Sequence, residues 1–211
     1  MLLSGAPGVP PASVVVLGAG VVGSAAIRIA VGMGAKVTAF NLDEERLRRL
    51  DELYAGRVMT LAPHQEWINR EVMEADLVIG AVMVPGARAP KLVSRGVVAS
   101  MKPGSVVVDV AVDQGGCLET TRPTSHSDPV FEVDGVLHYC VPNMPGIVPR
   151  TSTFALTNAT LPFIVRLVSS GVQAAIRMHH GLAQGVNVIA GRVACRGVAE
   201  AHGMPFQPLT P

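Results

Sequence analysis

Three glycines carry the first chemical signal in this chain. Gly18, Gly20 and Gly23 stand in Val14-Val15-Val16-Leu17-Gly18-Ala19-Gly20-Val21-Val22-Gly23, an apolar run that enters a G-x-G-x-x-G turn. This spacing predicts a pyrophosphate site. The first glycine permits the tight turn, the second lets the backbone approach the phosphates, and the third lets the following helix pack close to the strand. Ser24 to Met33 has helical apolar spacing. The phosphates would then meet the helix N-terminus around Val21 and Val22, where free N–H groups and the helix dipole favour an anion. A second strand pattern, Lys36 to Phe40, completes the β-α-β context that gives the motif its weight.

Three polar residues lie where such a fold exposes its ligand-facing rim. Asn41 follows the second strand, at the position that usually holds an acid gripping the adenosine ribose. Asn can hydrogen-bond a hydroxyl but lacks the charge that repels a 2′-phosphate; the alternative reading is an ordinary turn residue. Asp43 is two residues further on. No arginine follows the strand directly, since Arg46 and Arg48 fall inside the next helix, so NAD is the favoured cofactor over NADP. Asp113, in Asp109-Val110-Ala111-Val112-Asp113-Gln114-Gly115-Gly116, follows a later strand and is the candidate active-site carboxylate, with a capping Asp as the alternative. Asn143, before Met144-Pro145-Gly146, would sit at the same rim; a turn Asn is the bland reading there. The six histidines show no H-x-x-x-H or H-E-x-x-H spacing, so no metal site is expected. Neither G-x-S-x-G nor a Walker A pattern occurs.

The elements that must position these residues alternate along the chain. Strands are predicted at Ser13–Gly18, Lys36–Phe40, Leu77–Gly80, Ser105–Val110 and Leu137–Val141. Helices are predicted at Val22–Met33, Asp43–Ala55, Gln65–Glu74, Pro90–Ser100 and Ser152–Ser170, the last carrying Pro162. Such alternation with short apolar strands implies an α/β fold, a Rossmann-type doubly wound parallel sheet with helices on both faces. Residues 1–12, rich in Pro and Gly, read as an extended lead-in, 13–150 as the dinucleotide-binding domain, and 151–211 as a C-terminal helical appendage. Two helical segments and no sheet strand are expected in 172–203. The chain of 211 residues is 49% hydrophobic and 16% charged, with mean hydropathy +0.40. That apolar excess predicts surface buried in a partner or oligomer. A net charge of +1 and 4% aromatic residues argue against nucleic acid and anionic membrane surfaces. The glycine-broken apolar stretch at 14–27 is no membrane span, and the N-terminus has no signal-peptide pattern. Cys117, Cys140 and Cys195 are odd in number and widely spaced, as reduced thiols of a cytoplasmic protein would be.

With these residues placed, the chain resembles the alanine dehydrogenase family. The resemblance rests on Ala75-Asp76-Leu77-Val78-Ile79-Gly80-Ala81-Val82, Pro85-Gly86-Ala87-Arg88-Ala89-Pro90-Lys91-Leu92-Val93 and Met101-Lys102-Pro103-Gly104-Ser105. It rests also on Val108 to Cys117, on Asn143-Met144-Pro145-Gly146 and on Pro149-Arg150-Thr151-Ser152-Thr153. The related proton-translocating transhydrogenase shares the fold, but the run Asp113-Gln114-Gly115-Gly116-Cys117 is of the alanine dehydrogenase type. The resemblance implies oxidative deamination of L-alanine to pyruvate and ammonia, with hydride passed to NAD. It implies that Gly18, Gly20, Val21, Val22 and Gly23 hold the pyrophosphate and that Asn41 takes the ribose-selecting position, where the family usually has Asp. NADP therefore stays open. Val82 would lie beside the adenosine, Asp113 near the nicotinamide ribose, and Asn143 and Met144 beside the nicotinamide. Pro142 departs from the small residue usual before Asn-Met-Pro. The family's N-terminal catalytic segment, with its Arg, Lys and His, is expected to be absent, the chain starting near the junction. Arg150 is then the nearby basic candidate, and Arg88 is expected in a surface loop. Residues 151–211 would pack on that missing substrate domain, leaving a homo-oligomer or an N-terminal partner segment to complete the site. The rival readings are a non-catalytic dinucleotide-binding module, a degenerate fragment that binds nothing, and a dehydrogenase for another amino or imino acid.

Overall fold

The run Ser13-Val14-Val15-Val16-Leu17 forms β1 (Ser13–Leu17), whose valines and leucine are wholly buried. Its alternation splits the core in two. Val14 and Val16 face one cluster, with Ile27, Ala30, Val37, Leu50 and Tyr54. Val15 and Leu17 face the other, with Phe40, Ile68, Val72, Val78, Val107 and Leu118. A strand covered on both faces has no use for polar alternation, which explains why it reads as a continuous apolar run. The computed structural model describes residues 1–84 and 87–209.

Six further strands join β1: β2 (Lys36–Phe40), β3 (Val58–Leu61), β4 (Leu77–Gly80), β5 (Val106–Asp109), β6 (Val130–Val133) and β7 (Val136–Tyr139). Their order is β3-β2-β1-β4-β5-β7-β6, with every pairing parallel except β6 with β7. The order reverses between β1 and β4, the switch point at which open α/β sheets bind ligands outside the strand C-termini. Helices α1 (Val21–Gly32) and α2 (Glu44–Tyr54) contribute Ile27, Ala30, Leu50 and Tyr54 to the first cluster. Helices α3 (Gln65–Met73) and α4 (Arg95–Ala99) contribute Ile68, Val72 and Val98 to the second.

Several predicted elements are corrected. Val58–Leu61 is an unpredicted edge strand; only Val58 is fully buried, so its apolar signal is weak. Val130–Val133 and Val136–Tyr139 form a hairpin whose Asp134-Gly135 turn has φ of 53° and 80°. Both residues need positive φ, which is what Asp-Gly supplies. The strand predicted at Leu137–Val141 therefore starts and ends earlier, at Val136 and Tyr139. The strand predicted at Ser105–Val110 is Val106–Asp109, and Val110–Gln114 is a short 3₁₀ helix. Of the helix predicted at Pro90–Ser100 only Arg95–Ala99 forms, capped by Ser94 Oγ, which accepts the Val97 N–H at 3.4 Å. The preceding residues bond instead to a distant loop: the Ala89 N–H donates to the Gln114 carbonyl at 2.9 Å and the Leu92 N–H to the Cys117 carbonyl at 2.8 Å. The lead-in is not extended either. It turns back, with the Gly5 N–H donating to the Leu2 carbonyl and the Ala12 N–H to the Leu3 carbonyl.

Met1–Val84 with Arg88–Met144 forms one compact unit, and residues 145–209 belong to a second. In the second unit α5 (Pro149–Ser170) begins three residues earlier than expected and runs through Pro162. Beyond it lie α6 (Val172–Met178), α7 (His180–Gln184) and α8 (Arg196–His202), one helix more than predicted. A two-stranded ribbon, β8 (Val188–Ile189) with β9 (Arg192–Val193), was also unexpected and forms a sheet of its own.

Candidate functional site

The glycine turn joins β1 to α1 at the switch point. Gly18 has φ +96°, and a Cβ there would stand 2.8 Å from the Ala81 carbonyl oxygen, so the turn presses on the end of β4. A Cβ on Gly23 would lie 1.8 Å from the Gly18 carbonyl oxygen, which leaves no room for any side chain between turn and helix. Gly20 differs. It is the N-cap of α1, makes no side-chain cap, and a Cβ there would meet nothing nearer than Arg46 Nη1 at 3.7 Å. The backbone is therefore bare on its outer side at the positive end of a twelve-residue helix. Helix α2 is the contrast: Asp43 Oδ1 accepts the N–H groups of Glu45 and Arg46 at 3.0 and 3.3 Å and already covers its N-terminus.

Asn41, at the end of β2, reaches back to this turn. Its Oδ1 accepts the Ala19 N–H at 3.1 Å and its Nδ2 donates to the Asp43 carbonyl at 3.2 Å. Val82 follows β4, half-buried, while Val21 and Val22 project from the first turn of α1 with 91% and 48% exposure. Leu42, Met83 and Val84 are also exposed along this edge, so large apolar side chains gather where the flat rings of a ligand would need cover.

Asp113 lies in the 3₁₀ helix after β5, exposed, with no hydrogen bond to its carboxylate among the described residues. The residue that organises its loop is Asp109, which sequence reasoning passed over. Asp109 is fully buried. Oδ1 accepts the Ala111 N–H at 3.0 Å; Oδ2 accepts the N–H groups of Cys117 and Leu118 at 2.8 and 3.4 Å and the Thr121 hydroxyl at 2.5 Å. These four donors, with the Cys117 thiol 3.6 Å from Oδ1 as a fifth, satisfy a carboxylate whose burial would otherwise be costly. Lys91 closes the loop from outside, donating from Nζ to the Gly115 and Leu118 carbonyls at 2.6 and 2.8 Å. The Val84 N–H donates to Gln114 Oε1 at 3.4 Å, which links this loop to the end of β4. A carboxylate ending the apolar run Val106-Val107-Val108 was a usable signal for Asp109; nothing local marks Lys91. Burial, and then the Asp109 charge, push the Cys117 thiol far above its ordinary range.

Asn143 and Met144 follow β7, the neighbour of β5. Asn143 is exposed with φ 54°, a left-handed turn conformation that Asn tolerates. Arg88 is exposed, and Arg150 belongs to the second unit, in the first turn of α5. Pro85 and Gly86 of the family-like signature, and Thr210 and Pro211 of the predicted appendage, lie outside the described residues. A cavity of about 470 Å³ lined by Ala12, Asp76 and Ser105 opens at the opposite edge of the sheet, where the strands begin, and is remote from these groups. Among the described residues no three His, Cys, Asp or Glu side chains converge as metal ligands, and no helix is long and apolar enough to cross a membrane.

A parallel sheet with this strand order, and a glycine turn feeding a bare helix N-terminus at its switch point, define a Rossmann-type dinucleotide-binding domain. Comparison with known proteins narrows the class. The model of the alanine dehydrogenase/PNT C-terminal domain family matches residues 1–196, and the chain belongs to that family. Alanine dehydrogenase from Halomonas elongata is 54% identical over 98% of the chain and 56% of its own length. That from Mycobacterium tuberculosis is 51% identical over the same shares. A solved L-alanine dehydrogenase superimposes with TM-score 0.87 at 52% identity, covering 96% of this chain and 56% of that one. A transhydrogenase from Sinorhizobium meliloti matches with TM-score 0.58 and 35% identity over 66% of this chain and 40% of its own. The chain thus spans about 56% of the curated relatives it matches and is their nicotinamide dinucleotide-binding portion.

Proposed function

We propose that this chain supplies the cofactor half of an L-alanine dehydrogenase, which oxidatively deaminates L-alanine to pyruvate and ammonia with NAD as cofactor. The observation that carries the reading is the uncapped N-terminus of α1 behind Gly20, open at the β1/β4 switch point. Gly18, Gly20, Val21, Val22 and Gly23 take the pyrophosphate, Asn41 the adenosine ribose, and Val82 the adenosine. Asp113 stands near the nicotinamide ribose, and Asn143 and Met144 beside the nicotinamide. When bound, the nicotinamide ring supplies the hydride acceptor. What these residues do is orient it: Asp109 and Lys91 hold the loop on which Asp113 is presented.

Amino-acid oxidation also needs a carboxylate anchor and a proton acceptor aligned with the ring. Asp113 cannot serve both needs, so those groups come from a segment outside these 211 residues, or from another polypeptide. The second unit is the docking element for that segment or for a second copy. Phe154, Leu161, Ile164, Val165 and Val168 of α5 are all more than half exposed and share one side of that helix. With three free cysteines the protein is assigned to the cytoplasm. The second reading, a dinucleotide-binding module without turnover, is favoured by one observation: the carboxylate of Asp113 is exposed and has no orienting partner among the described residues.

NADH oxidation with pyruvate and ammonium, followed at the nicotinamide absorbance, tests the proposal. The chain alone is expected to be inactive, and adding the N-terminal half of a relative is expected to restore turnover. Binding of NADH without restored turnover favours the module. Turnover by the chain alone refutes the division of roles.

A further inference from the structure

The adenosine end of the site carries an arginine that chain order alone hides inside a helix. Arg46 is in the first turn of α2, and its guanidinium folds back to the glycine turn, Nη1 standing 3.7 Å from the Cβ position of Gly20. Its Nε pairs with Asp43 Oδ2 at 3.2 Å, which orients the fork. The carboxylate that would normally face the ribose hydroxyls is missing, because Asn41 stands at that position. Asn41 holds the Ala19 N–H and the Asp43 carbonyl and keeps one amide hydrogen for a ribose hydroxyl, but it carries no charge to repel a phosphate. A carboxylate here accepts the ribose hydroxyls and repels a 2′-phosphate, whereas a nearby arginine accommodates one. The acidic neighbours do not replace it. Asp43 is committed to the N–H groups of Glu45 and Arg46 and to the guanidinium. Glu44 and Glu45 are exposed on the same turn, where solvent and salt screen them, so direct hydrogen bonds decide.

We infer that this site binds 2′-phosphorylated dinucleotides, NADP(H), alongside NAD(H), with Arg46 as the residue that receives the 2′-phosphate. The inference rests on the dinucleotide reading of the glycine turn. Guanidinium–phosphate pairs are among the stronger charge-assisted contacts, and the half-exposed setting of Arg46 moderates this one. Calorimetric titration of the chain with NADH and with NADPH tests it without any turnover. NADPH is expected to bind within about tenfold of NADH. Arg46→Ala is expected to weaken NADPH by about tenfold while changing NADH by less than about threefold, and Asn41→Asp to weaken NADPH by a similar factor without weakening NADH. NADPH binding more than about tenfold weaker than NADH overturns the inference, as does an equal loss of both ligands in Arg46→Ala. If neither ligand binds, the dinucleotide reading itself fails and this inference with it.

Discussion

Two glycines close in sequence, Gly20 and Gly23, separate binding from folding. At Gly20 a Cβ would meet nothing nearer than Arg46 Nη1 at 3.7 Å, an ordinary van der Waals contact, on a backbone with φ −72° and ψ −160° that any residue adopts. Gly20→Val should therefore leave stability within about 1 kcal/mol, the cap and chain-entropy effects being small and of opposite sign. It would place a branched side chain on the proposed path of the pyrophosphate. Loss of the charge-assisted backbone contacts there, about 3 kcal/mol in all, weakens NADH binding about 100-fold or more. Gly23→Ala should do the reverse. Its Cβ would fall 1.8 Å from the Gly18 carbonyl oxygen, so turn and helix must part by more than an ångström to reach even 3.0 Å. Overpacking of this kind costs roughly 1–3 kcal/mol and more when, as here, backbone must move. At about 3 kcal/mol the melting temperature falls by roughly 6–12 °C. Thermal unfolding by circular dichroism and titration of NADH fluorescence, run on both variants, give the four numbers needed. Unchanged NADH affinity in Gly20→Val would place the pyrophosphate elsewhere. Wild-type stability in Gly23→Ala would refute the close packing of α1 on the turn.

Three further outcomes are expected. Asp109→Asn leaves several N–H donors facing an amide in a fully buried site, and should cost about 3 kcal/mol in urea unfolding and raise hydrogen exchange at residues 115–118; protection equal to wild type would remove Asp109 from its organising role. At pH 8 one thiol per native chain, the partly exposed Cys195, should react quickly with a disulfide reagent, since burial pushes the Cys140 thiol up to about 11 and that of Cys117 higher still; two fast thiols would contradict this. His138 is fully buried, and that burial lowers its pKa below the ordinary 6.5. The unfolded chain then binds the extra proton first, so stability is complete above about pH 7.5 and is lost as pH falls through 6.5 toward the folded value, by at most about 1.4 kcal/mol per pH unit. Urea midpoints at pH 7.5 and 5.5 should differ less in His138→Gln than in wild type; identical differences would show that another group carries the effect.

Much of the fold was legible because its signals are local. The apolar run at Val14–Leu17, short, rich in valine and followed at once by glycines that admit few turns, reads as a strand buried on both faces, so the β1-turn-α1 unit and the doubly wound class came from short-range pattern alone. Asp134-Gly135 is an equally local hairpin signal, both residues standing at positive φ. The edge strand at Val58–Leu61 was not legible in this way, since an edge buries too little for its pattern to stand out. Nor was the loss of helix at Pro90–Val93. Leu92 and Val93 are drawn out of it by hydrogen bonds to Cys117, and Ala89 just before them by one to Gln114, some 25 positions away.

The candidate site divides along the same line. Residue type and spacing alone determined that Gly18, Gly20 and Gly23 form the tight turn between β1 and α1, and that Asn41, Asp113 and Asn143 follow strands whose ends share one edge. Only the tertiary structure decided which charges meet there. Asp109 turned inward to bind the loop that carries Asp113, Lys91 crossed to the same loop, and Arg46 folded from its helix to Gly20. The physical reason is that backbone conformation is set largely by neighbours in sequence, whereas an electrostatic contact depends on distance in space, which chain order does not encode.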